Sequence, residues 1–154
     1  MGNIANFGKV TDNLYRGAQP DIEGFATLKG MGVSLIVDVR SPYPQQEQER
    51  RLCYLSGLGY EHIYWRAQPF FSVPDIEIVR YFLWLLKSNP DKKIFVHCKQ
   101  GSDRTGVCVA AERIALEGWA SKRAANEMGD YGYHWYLFPR WKGWVANLKP
   151  AELS

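Results

Sequence analysis

The chain has 154 residues, 46% of them hydrophobic, and a formal net charge of +3, which is typical of one ordinary globular domain. This charge suits an anionic ligand but falls short of the dense basic surface that nucleic-acid binding requires, so we expect no nucleic-acid partner. Three cysteines without short spacing, Cys53, Cys98 and Cys108, argue against a disulfide framework or a zinc site.

The sequence shows no targeting or membrane signal. Its longest apolar runs fall short of the roughly 18 residues that span a bilayer, and its first ten residues, MGNIANFGKV, lack a signal-peptide pattern. We therefore expect no membrane span. As a separate expectation, the protein is a monomer. The default location is the cytoplasm, or outside the cell if a leader has been removed.

Two kinds of apolar pattern alternate along the first half of the chain. Continuous runs rich in β-branched residues predict strands that are buried on both faces, and apolar residues spaced three and four apart predict helices. In chain order we expect a strand in 13–20, a helix in 21–32, a strand in 33–40, a loop and then a helix in 41–59, and a strand in 60–66.

The second half continues this alternation. We expect a helix in 74–90, a strand in 92–98, a buried helix in 104–118, a helix capped by Ser121 and a last helix opened by Pro139. Strands alternating with helices predict a single α/β domain, residues 1–154, whose mostly parallel sheet of four to five strands is flanked by helices. Ligands of such sheets bind beyond the carboxyl ends of the strands, and Cys98 lies at one of these ends.

The stretch HCKQGSDRTG (97–106) joins the strand of 92–98 to the buried helix. A loop at a helix N-terminus carries unpaired backbone N–H groups and a positive potential, and both favour an anion. Gly101 gives the backbone the freedom to turn consecutive amides inward. Arg104 supplies a planar, permanently charged group that matches two phosphate oxygens. The loop therefore predicts a phosphate site.

Cys98 supplies a nucleophile to this site. The loop amides and Arg104 favour its thiolate form, which can attack phosphorus. The Thr105 hydroxyl can reach back to the sulfur, and His97 can fix the loop through its ring nitrogens. Positioning and hydrogen-bond donors stabilise a phosphoryl transition state, so we expect no metal and no cofactor. The predicted chemistry is hydrolysis of phosphate esters through a covalent intermediate.

The same stretch resembles the H-C-x-x-G-x-x-R-[ST]-G signature of the protein tyrosine phosphatase superfamily. The segments NLYRGAQP, LIVDVR and VPDIEIVRYFLWLL are similar to those of small atypical dual-specificity phosphatases, a plant, fungal and bacterial group that includes inositol-phosphate phosphatases. The resemblance implies the fold of these phosphatases. It also implies that Cys98 is the nucleophile, Arg104 the phosphate clamp and 99–103 (Lys99, Gln100, Gly101, Ser102, Asp103) the amide cradle.

The general acid of the superfamily, an aspartate in a Trp-Pro-Asp loop, has no counterpart in YWRAQPFFSVPD (64–75). Asp103 is one candidate, because its place before Arg104 is similar to the pattern of myotubularin-type and Sac-type phosphoinositide phosphatases; it could instead stabilise the loop amides. Asp75 is the other candidate, because it lies closer to the end of the mobile loop. It could instead cap the next helix in a capping box with Ser72.

Four further residues are candidates for substrate contact. Lys99 is similar to the lysine after the cysteine in phosphoinositide and inositol-phosphate phosphatases, and it either binds a second phosphate or faces solvent. Arg40 and Arg66 follow strands that end near the expected site, so they could form its rim. His134, in YGYHWY, could enter the pocket or pack among aromatic residues.

These observations predict a metal-independent phosphomonoester hydrolase that forms a cysteinyl phosphate and acts on inositol polyphosphates. One alternative is a phosphotyrosine or dual-specificity protein phosphatase. A second is a non-catalytic phosphate-binding module. A third is a redox or sulfur-transfer enzyme such as an arsenate reductase, which needs another cysteine near Cys98. For either phosphatase, the expected partner is an anionic phosphorylated substrate, an inositol polyphosphate or a phosphoprotein.

Overall fold

Five strands form one sheet in the computed structural model, which describes residues 3–154. The strand order is β1-β2-β5-β3-β4, and β1 is antiparallel to β2 while all other neighbours are parallel. The strands are β1 (Gly8–Thr11), β2 (Leu14–Gly17), β3 (Val33–Asp38), β4 (Gly59–His62) and β5 (Lys93–His97). The predicted α/β class and its mostly parallel sheet are confirmed.

In the described part of the chain, six α-helices and one short 3₁₀ helix flank this sheet. The α-helices are α1 (Ile22–Gly30), α2 (Gln46–Leu55), α3 (Ile76–Ser88), α4 (Arg104–Glu117), α5 (Ser121–Asp130) and α6 (Trp141–Ala146), and the 3₁₀ helix is Pro150–Leu153. No helix within residues 3–154 combines the length and the apolar character needed to cross a membrane.

Each face of the sheet carries its own hydrophobic core. Alternate residues of a strand point to opposite faces, so Ile36 of β3 packs with α1 and α2 while Val37 packs on the side of α3, α4 and α6. Phe95 and Val96 of β5 divide in the same way. This arrangement explains why the two central strands are continuous apolar runs.

Three details differ from the sequence prediction. The edge strand β1 was not predicted, because it has four residues and buries only Val10. Ser121 does not cap α5, since Ala120 is the N-cap and the Ser121 hydroxyl donates to the Leu148 carbonyl. The last helix begins at Trp141, two residues after Pro139.

Candidate active site

The loop from Cys98 to Asp103 lies at the carboxyl end of β5, the central strand, and leads directly into α4. Gly101 adopts a φ of +75°, and a Cβ there would lie 2.5 Å from the Gly17 carbonyl carbon. Both the left-handed backbone and this close approach require glycine. The predicted need for glycine at position 101 therefore has two structural causes.

Hydrogen bonds from outside hold the carbonyl groups of this loop. The buried Arg16 guanidinium donates to the Gly101 carbonyl at 2.9 Å, and the backbone N–H of Gln19 donates to the Lys99 carbonyl at 3.1 Å. The Asn6 side chain donates to the Gln100 carbonyl at 3.1 Å. Arg16 is itself held by the Tyr131 ring, whose centroid lies 3.6 Å away.

Within residues 3–154, the backbone N–H groups of 99–103 make no hydrogen bond to another group. Because the carbonyl groups of the loop are bound on its outer side, these amides remain available on the other side. A row of unpaired amides at the N-terminus of α4 is a favourable place for an anion. This geometry agrees with the predicted amide cradle.

A cleft of about 300 Å³ opens over this loop. Its lining contains five residues from the signature and three from the segment after α5, namely Cys98, Lys99, Gln100, Asp103, Arg104, His134, Tyr136 and Leu137. The Cys98 side chain lies at the buried floor, whereas Lys99 and Gln100 are exposed. Gly101 and Ser102 are buried and do not line the cleft, so the cleft contains four of the six predicted phosphate-binding residues.

Arg104 is positioned by a residue from another strand end. Its Nη2 donates to the Ser41 hydroxyl at 3.1 Å, and its buried Nε has no partner among the described residues. Burial lowers the pKa of Arg104, while the charges of Cys98 and Asp103 act in the opposite direction. An arginine keeps its charge under such conditions, so the guanidinium is available to a bound phosphate.

His97 lies directly behind the nucleophile and is completely buried. Its Nδ1 is 2.9 Å from the Cys98 carbonyl oxygen, and its Nε2 is 2.8 Å from Glu49 Oε2. Burial alone would lower the pKa of His97, but the hydrogen bond and charge of Glu49, with Asp38 nearby, raise it to about 9. His97 is therefore an imidazolium that donates from both nitrogens. The prediction that it fixes the loop agrees with these contacts.

The carboxylates behind His97 belong to one buried network. The Tyr43 hydroxyl lies 2.8 Å from Asp38 Oδ2 and 3.0 Å from Glu49 Oε1, and the Tyr60 hydroxyl donates to Asp38 at 2.7 Å. Asp38, Glu49 and His97 bring potential metal-ligand atoms within 4.8 Å of one another. Because both nitrogens of His97 already make hydrogen bonds, the network accounts for this cluster without an ion.

Thr105 is buried at the start of α4, and its hydroxyl makes no hydrogen bond to any described residue, Cys98 included. Its predicted contact with the nucleophile is absent from this structure. A role for Thr105 during the reaction stays a prediction.

The two candidate acids lie in different places. Asp75 is the N-cap of α3, accepts from the Glu77 amide at 2.9 Å and does not line the cleft. Capping therefore accounts for Asp75, although Ser72 takes no part in it because its hydroxyl donates to the Gln68 carbonyl. Asp103 does line the cleft, where its carboxylate accepts hydrogen bonds from His134.

Of the three predicted rim residues, only His134 lines the cleft. The Arg40 guanidinium donates to the Gln19 side chain and lies 3.8 Å from the centroid of the Tyr43 ring. Arg66 is exposed outside the cleft lining. Arg40 stacks on Tyr43 outside the cleft lining, yet it lies close enough to Arg104 for its charge to add to burial in lowering the pKa of Arg104. A rim role for Arg40 or Arg66 stays a prediction.

Four residues that position the site escaped sequence reasoning, namely Asn6, Arg16, Ser41 and Glu49. Arg16 carried a usable signal, because it is a cation inside the apolar strand of NLYRGAQP. Glu49 carried little signal, because it stands in the polar run QEQERR, where a carboxylate usually faces solvent.

A cysteine and an arginine held at the two ends of an amide loop, between a central parallel strand and a helix, define the class of cysteine-dependent phosphatases. Residues 3–132 match the model of a family described as a DSP-PTPase phosphatase fused to NAD+ kinase. The chain belongs to this family.

Curated relatives include two phosphatases with different names. The chain is 26% identical over 130 residues to the dual specificity protein phosphatase TpbA of Pseudomonas aeruginosa, covering 83% of this chain and 55% of that protein. It is 28% identical over 149 residues to inositol diphosphatase DSP1 of Oryza sativa subsp. japonica, covering 96% of this chain and 63% of that protein. The chain therefore spans less than two thirds of the length of these relatives.

Solved structures show the same fold. The crystal structure of P. aeruginosa TpbA superposes with a TM-score of 0.80 at 23% identity, covering 99% of this chain and 90% of that one. The core catalytic domain of the PP-IP phosphatase SIW14 from S. cerevisiae gives a TM-score of 0.79 at 18% identity, with coverages of 97% and 89%.

Proposed function

We propose that this protein hydrolyses phosphate monoesters through a covalent intermediate on Cys98. One observation carries the proposal: the Cys98 side chain shares a cleft with Arg104 beneath the unpaired amides of 99–103. The imidazolium of His97 adds a positive charge behind the nucleophile. Arg104, the loop amides and His97 thus place positive charge and positive dipole ends next to a bound phosphoryl group.

The reaction has two steps. In the first, the Cys98 thiolate forms an S–P bond while the P–O bond to the leaving group breaks; the leaving oxygen takes the bonding electrons and a proton. In the second, water attacks phosphorus and gives up a proton, the S–P bond breaks, and inorganic phosphate leaves with the thiolate restored. Arg104 and the loop amides stabilise the equatorial oxygens in both steps.

Inositol polyphosphates are the substrate class that we propose. Lys99 is exposed at the cleft next to the nucleophile, where an ammonium group can bind a second phosphate of the same ring. The net charge of +3 favours polyanions. A relative that aligns with 96% of this chain is named an inositol diphosphatase.

A specific observation supports phosphotyrosine as a second candidate. Tyr136 and Leu137 form one wall of the cleft, and the neighbouring Trp135 side chain is 70% exposed. Aromatic side chains at the mouth of a cleft can stack on a phenyl ring. One relative is named a dual specificity protein phosphatase.

The other two alternatives are less well supported. A redox reaction needs a second reactive thiol, but burial raises the pKa of Cys53 to about 12 and also raises the pKa of Cys108. Both thiols are buried and neither lines the cleft. A module that only binds phosphate would not need a cysteine on the floor of the cleft.

The test is phosphate release from inositol hexakisphosphate and from a phosphotyrosine peptide, measured side by side with Cys98→Ser as the inactive control. Faster release from the inositol phosphate supports the proposed substrate class, and faster release from the peptide supports the second candidate. Binding of phosphate without release by the unaltered protein contradicts the proposed function.

A paired substitution tests the role of Lys99. Lys99→Gln should lower kcat/KM for inositol hexakisphosphate about tenfold, which corresponds to about 1.4 kcal/mol, and should spare the peptide. Lys87→Gln is the matched control, because Lys87 lies in the last turn of α3 and does not line the cleft. Equal losses on both substrates would contradict a contact with a second phosphate.

A further inference from the structure

The Asp103 side chain occupies an unusual position for a helix cap. Asp103 is the N-cap residue of α4, yet its side chain makes no capping hydrogen bond to the helix amides. An aspartate at this position normally accepts from the second or third amide of the helix. Both of its oxygens instead accept from His134, Oδ1 from the backbone N–H and Oδ2 from Nδ1, each at 2.8 Å.

This pattern is that of a carboxylate that orients an imidazole. Each oxygen of Asp103 is occupied as an acceptor, and the N-terminus of α4 favours negative charge at this place. A group held in this way is poorly suited to deliver a proton to a leaving group. The sequence-based candidacy of Asp103 as the acid itself therefore does not fit its contacts.

His134 has the complementary geometry. Its Nδ1 donates to the carboxylate, so that nitrogen carries a proton, and its Nε2 makes no hydrogen bond to any described residue. The side chain is 22% exposed and lines the cleft together with Cys98 and Arg104. In the imidazolium form, Nε2 carries a second proton, and imidazole is the side chain that exchanges a proton most readily near neutral pH.

We propose that His134 is the general acid of the reaction and that Asp103 positions it; the inference rests on the proposed function. In the first step, the Nε2–H of the imidazolium gives its proton to the leaving oxygen as the P–O bond breaks. In the second, the neutral imidazole takes a proton from the water that attacks phosphorus. The proton returns to Nε2, so the cycle closes without another reactant.

Charged groups of both signs share the cleft with His134. From the loop and α4, the groups that share its cleft are Cys98, Lys99, Asp103 and Arg104. From its own segment, Tyr136 meets its ring edge-on, with centroids 5.7 Å apart. Asp103 is the group in direct contact, and it fixes the orientation of the imidazole ring in the cleft.

The test compares two substrates that differ only in the leaving group, phenyl phosphate and 4-nitrophenyl phosphate. His134→Asn keeps an N–H donor that can face Asp103 but cannot transfer a proton. We expect kcat/KM for phenyl phosphate to fall about 100-fold or more and that for 4-nitrophenyl phosphate to fall less than about tenfold, because a good leaving group needs little acid catalysis. Asp75→Asn is the matched carboxylate control outside the cleft and should change neither rate.

A comparison of leaving groups also separates the two roles. Asp103→Asn should lower kcat/KM for phenyl phosphate more than for 4-nitrophenyl phosphate, but less than His134→Asn does, because Nε2 can still donate from a ring that is no longer held in place. Asp103→Glu, which keeps a carboxylate for Nδ1, should recover part of this loss. A merely structural role for Asp103 would lower the rates for both substrates equally.

Several outcomes overturn the inference. If His134→Asn stays within about threefold on both substrates while Asp103→Asn loses phenyl phosphate selectively, Asp103 is the acid. If His134→Asn loses both substrates equally while its Tm is unchanged, His134 acts on structure or binding only. Should the asparagine variant unfold, His134→Gln replaces it with the same expectations.

The proposed function has its own readout in this experiment. Release of 4-nitrophenolate by the unaltered protein, abolished in Cys98→Ser, establishes it whatever the histidine variants do. Without that release, the proposed function fails and the inference falls with it. With that release and no leaving-group effect in His134→Asn, the inference alone fails.

Discussion

Two histidine–carboxylate pairs enclose the loop that carries Cys98, one behind it and one in front. His97 Nε2 lies 2.8 Å from Glu49, and their side chains are 0% and 3% exposed. His134 Nδ1 lies 2.8 Å from Asp103, and their side chains are 22% and 16% exposed. The same two chemical groups meet at the same distance in environments that differ mainly in their access to water.

This difference assigns different tasks to the two pairs. A buried charge that loses its partner cannot be compensated by solvent, so the rear pair stays charged and holds the Cys98 carbonyl in place. The front pair faces the cleft and can exchange protons with a substrate or with water. Burial, more than residue identity, separates the structural pair from the one proposed for catalysis.

The largest effect on stability should come from Glu49→Gln. This change leaves the buried His97 without its counter-charge, and breaking a buried ion pair costs about 3–5 kcal/mol. We expect a loss of this size in the free energy of unfolding, measured by urea denaturation at pH 6. Glu47→Gln on the same helix is the control, because the Glu47 side chain is 77% exposed in its contact with Arg50. Equal effects of the two changes would contradict a special role for the rear pair.

The stability of the unaltered protein should fall as the pH rises from about 6.5 to 9. The pKa of His97 is about 9 in the folded protein and about 6.5 in an unfolded chain, so the folded state holds this proton more tightly. Its stabilising contribution is fully present below pH 6.5 and disappears as the pH rises through the folded value, by up to about 3 kcal/mol. Urea midpoints across this range measure the loss, and Glu49→Gln should flatten it. An unchanged slope in that variant would refute the assignment.

A third buried carboxylate, Glu112, provides a contrast without a histidine. Its Oε2 has no partner within the described part of the chain, and burial, followed by the neighbouring Glu117, raises its pKa to about 8. Below that pH the folded state keeps Glu112 protonated while the unfolded chain already ionises it, so stability is lost between the unfolded value of about 4.3 and pH 8. The stability advantage of Glu112→Gln over the unaltered protein should be larger at pH 9 than at pH 5, by at least about 1 kcal/mol after allowance for solvent screening. Thermal unfolding at both pH values measures this change, and a destabilised variant at pH 9 would contradict it.

The smallest effect should come from Asp75, an exposed carboxylate with no histidine partner. Asparagine caps a helix about as well as aspartate, so Asp75→Asn should change stability by less than about 0.5 kcal/mol. Phosphate release should also stay unchanged, because Asp75 lies outside the cleft. A selective loss of phenyl phosphate turnover in this variant would make Asp75 the acid after all.

The order of strands and helices and the loop from Cys98 to Arg104 were predictable because they depend on local patterns. Continuous β-branched runs and helical spacings predicted the elements, and ten consecutive residues carry the phosphate loop. The strand–loop–helix order was enough to bring Cys98 and Arg104 into one cleft.

The supports of the site were not predictable, because each depends on contacts between distant segments. Glu49 and His97 are 48 positions apart, and Asp103 and His134 are 31 apart. Arg40 follows a strand that ends near the site, but the sequence could not show that its guanidinium stacks on Tyr43 and does not line the cleft. Position along the chain therefore indicated which residues could reach the site, and side-chain packing determined which of them do.

The most direct test of the account is to trap the phosphorylated enzyme. The protein is mixed with 4-nitrophenyl phosphate, quenched with acid within milliseconds, digested and analysed by mass spectrometry. We expect one phosphoryl group on the peptide that contains Cys98, formed before the first turnover is complete and absent from Cys98→Ser. Phosphate release without any modification of Cys98 would contradict a covalent mechanism at this residue.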